Sequence, residues 1–220
     1  PETETTARKM TGSFYTPREI VDFMVDESLK YYLLNTLPGR DEDITQLLSY
    51  TTEPHHFNDK ESEKIVAALN QARILDPACG SGAFPMGVLH KMVHILNKLD
   101  RDNKLWREKK LKKALEETAS TFINDTKEER DKRLLDISHA FDNNSDDYGR
   151  KLFLIENCIY GIDIQPIAVQ ISKLRFFISL IADQIIDRNK RKDNFGVRPM
   201  PNLETKFVAA NTLTQTVNAS

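Results

Sequence analysis

Apolar residues recur at helical spacing in several separate stretches of the chain, and short apolar runs stand between them. Val21, Val25, Leu29 and Tyr32 step by four and three, predicting a helix over Pro17 to Leu37. Thr16 can cap that helix, Pro17 suits its first turn, and Pro38-Gly39 stops it. Arg40 to Asn58 is acidic and turn-rich, whereas Glu61 to Gln71 reads as a short helix leading into a first strand, Arg73 to Asp76. After a glycine-rich turn, Met86, Leu89, Val93 and Leu96 mark one face of a helix running to about Leu99. A second strand, Cys158 to Asp163, enters a long helix whose apolar stripe is Ile167, Ile171, Leu174, Ile178, Ile181 and Ile185. Asp187 to Asn202 is polar and holds Pro199 and Pro201, so it reads as a loop, and Lys206 to Ala210 is a third strand.

Between Asp100 and Arg150 the pattern changes. Lys, Arg, Glu and Asp dominate, with Leu111, Leu115, Ile123, Leu134 and Ile137 only sparsely spaced, as expected of an inserted pair of solvated helices. With that stretch set aside, strand, turn, helix, strand, helix, strand predicts an α/β fold. Right-handed crossovers place the strands in a partial parallel sheet of order 3-2-1. The expected organisation is a helical segment over residues 1–72 and a sheet domain over 73–220, the latter carrying the charged helical insertion at about 100–150. Ligands of such sheets bind beyond the carboxyl ends of the strands.

Composition narrows this only slightly. The formal net charge of −2 over 220 residues gives no basic excess that would announce nucleic acid. Two cysteines, Cys79 and Cys158, cannot build a disulfide framework, and a reducing cytoplasm is the expected compartment. No apolar run is long enough for a membrane span, and Pro1-Glu2-Thr3-Glu4 is neither a signal peptide nor a natural start, which suggests an excised piece of a longer protein.

Candidate chemistry gathers at the strand ends. The first strand runs into Asp76-Pro77-Ala78-Cys79-Gly80-Ser81-Gly82-Ala83-Phe84, where Gly80 and Gly82 let a ligand approach the backbone. A dinucleotide fingerprint needs a further glycine where Pro85 stands. Asp76 would repel a pyrophosphate and attract the ammonium of an amino-acid moiety, so the turn suits a cationic cofactor. At the end of the second strand Asp163 is placed to accept hydrogen bonds from ribose hydroxyls, equally a position from which it could cap the helix before Pro166. The charged stretch between the two acids exceeds the usual spacing and fits only if it loops out, which costs little closure entropy.

These residues resemble a known family. Asp76 to Phe84 is similar to motif I of amino-group DNA methyltransferases, Thr11 to Pro17 (TGSFYTP) to their motif X, and Tyr160 to Pro166 (YGIDIQP) to motif II. The order X, I, II resembles that of the gamma-class N6-adenine methyltransferases. Within them the wording looks most like the methylase part of type IIG restriction-modification enzymes, with type I modification subunits next. The likeness runs from about Lys9 to Leu213, and the insertion carries none of its motifs.

The resemblance implies a Rossmann-like fold binding S-adenosyl-L-methionine. Phe14, Tyr15, Thr16 and Pro17 would meet the methionine end, and Asp76, Pro77, Ala78, Cys79, Gly80, Gly82 and Phe84 would wrap the cofactor. Asp163 would hold the ribose and Ile164 would lie against the adenine ring. Asn211 stands where the family's motif III, often an aspartate, reaches the adenine amine. The family transfers methyl groups with an Asn/Asp-Pro-Pro-aromatic motif, and no two prolines are adjacent in these 220 residues. The expected part is therefore a cofactor-binding segment, inactive alone. Duplex DNA would be engaged through regions beyond it, and an apolar 73–76 strand edge could drive self-association.

Plainer readings stand beside these. The glycine turn could be a simple strand-helix connection, Tyr15 a core aromatic, and Cys79 a small buried side chain in place of a nucleophile, since no histidine base is placed for it. His55-His56 reads as surface, Lys98 to Lys113 as a solvated basic face, and Glu204-Thr205-Lys206 as strand entry without nuclease meaning. The rival functions are a non-catalytic DNA- or protein-binding module and a nucleotide-dependent oxidoreductase, the latter opposed by Asp76 and Pro85.

Overall fold

The computed structural model describes residues 16–101, 104–105, 146–184, 186–197 and 201–213. Three helices lead the described chain: α1 (Arg18–Thr36), α2 (Asp41–Leu48) and α3 (Asp59–Gln71). They are followed by β1 (Ile74–Asp76), α4 (Ala83–Leu99), α5 (Asp146–Asn157), β2 (Ile159–Asp163) and α6 (Pro166–Ile181). A 3-10 turn at Arg191–Gly196 and β3 (Phe207–Ala209) complete the order. The three strands form one parallel sheet of order β1-β2-β3, with Asp76 opposite Gly161 and Asp163 opposite Ala209. This is the α/β arrangement that the alternation of strands and helices predicts, and it is Rossmann-like as the resemblance implies.

The central packing element is α4, whose Met86, Leu89, Met92, Val93, Ile95 and Leu96 are all buried. Against it α1 lays Val21, Val25, Leu29 and Leu33, a face one position removed from the predicted Tyr32 at its last step. Tyr32 instead sends its hydroxyl to the Ala68 carbonyl at 2.8 Å. A Cβ on Gly87 would sit 2.8 Å from a Val21 methyl, so glycine is what lets the two helices approach this closely. The first residue before α1 is Pro17, with no side-chain cap, so the expected capping by Thr16 is not made. The cap that does form belongs to α3, where Asn58 and Glu61 bond each other's backbone amides at 3.0 Å in a capping box.

Two expectations need correction. The acidic stretch after Arg40 contains α2, which buries Ile44, Leu47 and Leu48. Its carbonyl end is satisfied from α4: buried Lys91 donates to the Leu48 carbonyl, His94 contacts that of Ser49, and Lys98 donates to those of Gln46 and Ser49, the shortest contact of each being 2.8 Å. Lys98 is thus a helix-end partner and no free basic surface; Arg107 to Lys113 lie outside the described residues.

The second correction concerns α6. Its isoleucine stripe is exposed, from 39% at Ile181 to 67% at Ile167, and the buried side carries Val169, Ser172, Lys173, Phe176 and Leu180. Ile185 lies outside the described residues. Phe176 packs its ring 4.8 Å from that of Phe207 on β3, and the Lys173 ammonium reaches Glu204 at 2.5 Å, which gives Glu204 a structural partner.

Of the insertion, residues 106–145 lie outside the described residues, but its two ends meet. Arg150, buried, donates to Asn97 and to the Asp100 carbonyl, so the chain re-enters the fold where it left. None of the described helices is long and apolar enough to cross a membrane.

Candidate cofactor site

The carboxyl ends of the three strands converge on the turn after β1. Both glycines there have positive φ, +54° at Gly80 and +83° at Gly82, the left-handed region in which a side chain would be strained. A Cβ on Gly80 would meet nothing within 4 Å, so that side of the turn is open. The opposite side is held. The Cys79 amide donates to the Ile162 carbonyl at 2.9 Å, and the Gly80 amide donates to Asp163 Oδ2 at 2.8 Å.

Asp163 therefore plays two parts at once. Its Oδ1 accepts from the Gln165 amide at 2.8 Å, organising the entry to α6 ahead of Pro166, while Oδ2 fastens the glycine turn. Each carboxylate oxygen has a second lone pair, so both remain able to accept from a ligand hydroxyl. The helix-entry role and the strand-end role coincide in one side chain.

Asp76 enters the same turn from β1. One oxygen accepts from the Ala78 amide at 3.0 Å; the other is shielded from solvent and has no hydrogen-bond partner among the described residues. Burial pushes its pKa above the ordinary carboxylate value; the Ala78 bond opposes this, and the nearby charge of Asp163 adds to it. Two acids that feel each other across one bare turn create a place of negative potential suited to a cation or a polyol. The second oxygen of Asp76 thus stays sheltered and unpartnered at the entrance to the turn.

Around them the other expected residues separate into groups. Pro77 and Ala78 are exposed on the turn, and Ile164 stands 61% exposed just past β2. Asn211 follows β3 on the same end of the sheet, which is fixed there by the Ala210 amide donating to the Asp163 carbonyl. Its side-chain oxygen accepts from the Leu213 amide at 2.9 Å, and the neighbouring Thr212 hydroxyl reaches the Pro77 carbonyl at 3.3 Å.

Phe84 faces elsewhere. It lines an apolar groove of about 250 Å³ with Met24, Val25, Leu75 and Val88, a groove that Asp76 and Pro77 border. Cys79 is buried beneath the turn, and burial, with Asp76 and Asp163 next, pushes its thiol up to about 11. It is packing, with only its backbone in the turn. Thr16 and Pro17 lead into α1, whereas Phe14 and Tyr15 lie outside the described residues, as does most of the motif X match. His56 approaches Asp43 at 3.3 Å, and no group of His, Cys, Asp and Glu suited to a metal occurs among the described residues.

Sequence reasoning passed over two contributors. Gly161 in β2 is one: a Cβ there would lie 2.7 Å from the Phe207 ring and 2.9 Å from Cys79 Sγ, so its bareness makes room for the thiol beneath the turn. The other is Ser172, buried on α6, whose hydroxyl donates to the Gly80 carbonyl at 2.9 Å.

Comparison with known proteins covers nearly the whole chain. Over 216 residues, 94% of this chain, the sequence is 26% identical to a protein of Methanocaldococcus jannaschii named "Putative type II restriction enzyme and methyltransferase". The similarity is to a restriction-modification methyltransferase. The chain spans 15% of that relative's length, so the match concerns one segment of a much larger protein. No family model matches.

Proposed function

We propose that this chain is the S-adenosyl-L-methionine-binding segment of a site-specific DNA adenine-N6 methyltransferase of a restriction-modification system. The observation that carries the reading is the meeting of Asp76 and Asp163 on one open glycine turn at the carboxyl ends of β1 and β2. In this reading Asp163 accepts from the ribose hydroxyls and Asp76 takes the cofactor's ammonium on its unpartnered oxygen. Gly80 offers bare backbone, and Ile164 and Asn211 border the adenine. Pro17 and Thr16, with Tyr15 and Phe14 before them, would close the methionine end. The bound cofactor supplies an activated methyl group; the residues of this chain bind and orient it.

Transfer to adenine calls for a group that accepts the hydrogens of the target amine, and the family's Asn/Asp-Pro-Pro-aromatic sequence is absent from these 220 residues. The chain alone is therefore proposed to bind without transferring, and contact with duplex DNA is assigned to other parts of the larger protein. The wording of the motif X, I and II matches supports adenine-N6 chemistry, and the relative's name supports methylation in a restriction-modification setting.

Calorimetric titration with S-adenosyl-L-methionine and its demethylated product tests the reading. Saturable heat with the wild-type chain, lost in Asp163→Ala, is expected, because that change removes two acceptors from the site and releases the Gly80 amide. No heat with either ligand, or equal binding by Asp163→Ala, sinks the cofactor assignment; binding of NAD in their place would favour the oxidoreductase.

A further inference from the structure

The glycine turn is gripped from behind by one face of α6. Ser172, with no exposed surface, donates its hydroxyl proton to the Gly80 carbonyl at 2.9 Å. Three residues on, and so on the same side of the helix, Arg175 donates from Nη1 to the Ser81 carbonyl at 3.0 Å. From the strand side Asp163 accepts the Gly80 amide proton at 2.8 Å. Both peptide groups that flank Gly80 are thus tied to the segment between β2 and the middle of α6, one by its N–H and one by its carbonyl.

Ser172 also sets how near α6 can come. A Cβ on Gly82 would lie 2.8 Å from the Ser172 hydroxyl and 3.2 Å from its Cβ, so serine and glycine are matched in close contact. A buried hydroxyl is costly unless bonded, and here its acceptor is the carbonyl of a residue held at φ +54°. The clamp acts on the closed side of the turn, while the side on which a Gly80 Cβ would meet nothing stays open.

We propose that Ser172 is a positioning residue for cofactor binding: its hydroxyl, supported by Arg175, orients the peptide groups of Gly80 and Ser81 so that their open side fits the amino-acid end of the cofactor, without itself touching the ligand. This rests on the cofactor reading above. It assigns α6 a task that the solvent-facing isoleucines of the same helix hide. Of the two polar residues on the inward face, Lys173 meets Glu204 and Ser172 meets the turn.

The test compares wild-type chain, Ser172→Ala, Ser172→Cys and Arg175→Ala by calorimetry with S-adenosyl-L-methionine and, separately, adenosine, alongside thermal unfolding. Ser172→Ala is expected to weaken S-adenosyl-L-methionine by about tenfold, the scale of one lost buried hydrogen bond, and to change adenosine by less than about twofold. Ser172→Cys, similar in size with a weak donor, should recover part of the loss. Arg175→Ala, at an exposed position, should cost about threefold and supplies the same readout if Ser172→Ala does not fold. Unchanged S-adenosyl-L-methionine affinity in Ser172→Ala and Arg175→Ala overturns the proposal while leaving the cofactor reading intact, and so does equal weakening of both ligands in step with a lower melting temperature. A wild-type chain silent to S-adenosyl-L-methionine removes the cofactor reading and this inference with it.

Discussion

The helices α4 and α6 each follow a strand, pack against each other and carry a long apolar stripe, yet they dispose of it in opposite ways. In α4 the stripe points inward, with Leu89 and Met92 at 0% exposure. In α6 the stripe points to solvent, and the inward face is built on Val169, Phe176 and Leu180 with Ser172 and Lys173 among them. The difference shows that a helix apolar on two sides is oriented by its polar residues: Ser172 has a carbonyl to meet in the glycine turn and Lys173 a carboxylate on Glu204. Turning the stripe inward would part Ser172 from the Gly80 carbonyl and Lys173 from Glu204, although the exposed Glu204 could turn to water.

Two substitutions in α6 press on that contrast, and a third tests the turn that Ser172 meets. The largest effect is expected from Phe176→Ala, which empties a fully buried position against Phe207 and should cost about 3–5 kcal/mol in denaturant unfolding. A cost near that of a surface change would mean that the inward face is wrongly assigned.

Next comes Asp76, where stability and binding pull apart. Burial holds its folded pKa above the unfolded value, so protonation favours the folded state. That contribution is present below the unfolded carboxylate range and lost as pH rises through the folded value. At neutral pH the charged group opposes folding. Asp76→Asn is therefore expected to raise the melting temperature near neutrality and to leave it almost unchanged in acid, while weakening cofactor binding. A lower melting temperature near neutrality would contradict the burial of this acid.

The smallest effect belongs to the outward stripe. Ile178→Ala, at a position 57% exposed, should shift stability by no more than about 0.5 kcal/mol. A loss on the scale of Phe176→Ala would instead show that this face is covered in solution.

How much of this was legible beforehand follows from what each residue depends on. Strands ending in Asp76 and Asp163 are visible because apolar runs, glycines and prolines punctuate them locally, and parallel order follows from the crossovers. The ends of α1 are legible to within a residue for the same reason. The second helix was missed because its start at Arg40 has no side-chain cap and its finish is stabilised by Lys91, His94 and Lys98, more than 40 positions away. The side on which α6 faces inward is unreadable from spacing, since both of its faces are apolar. Asp76 and Asp163 stood out as acids at strand ends; Ser172 did not, because a serine inside a helix carries no local sign of a carbonyl 92 positions earlier.

The clasp between Arg150 and the Asp100 carbonyl has a practical meaning for this architecture. With entry and exit stapled at one spot, the length of chain between residues 105 and 146 can change without altering the path from α4 to α5, since closure entropy changes slowly with loop length. That makes the crossover a natural grafting port for a reporter or affinity handle.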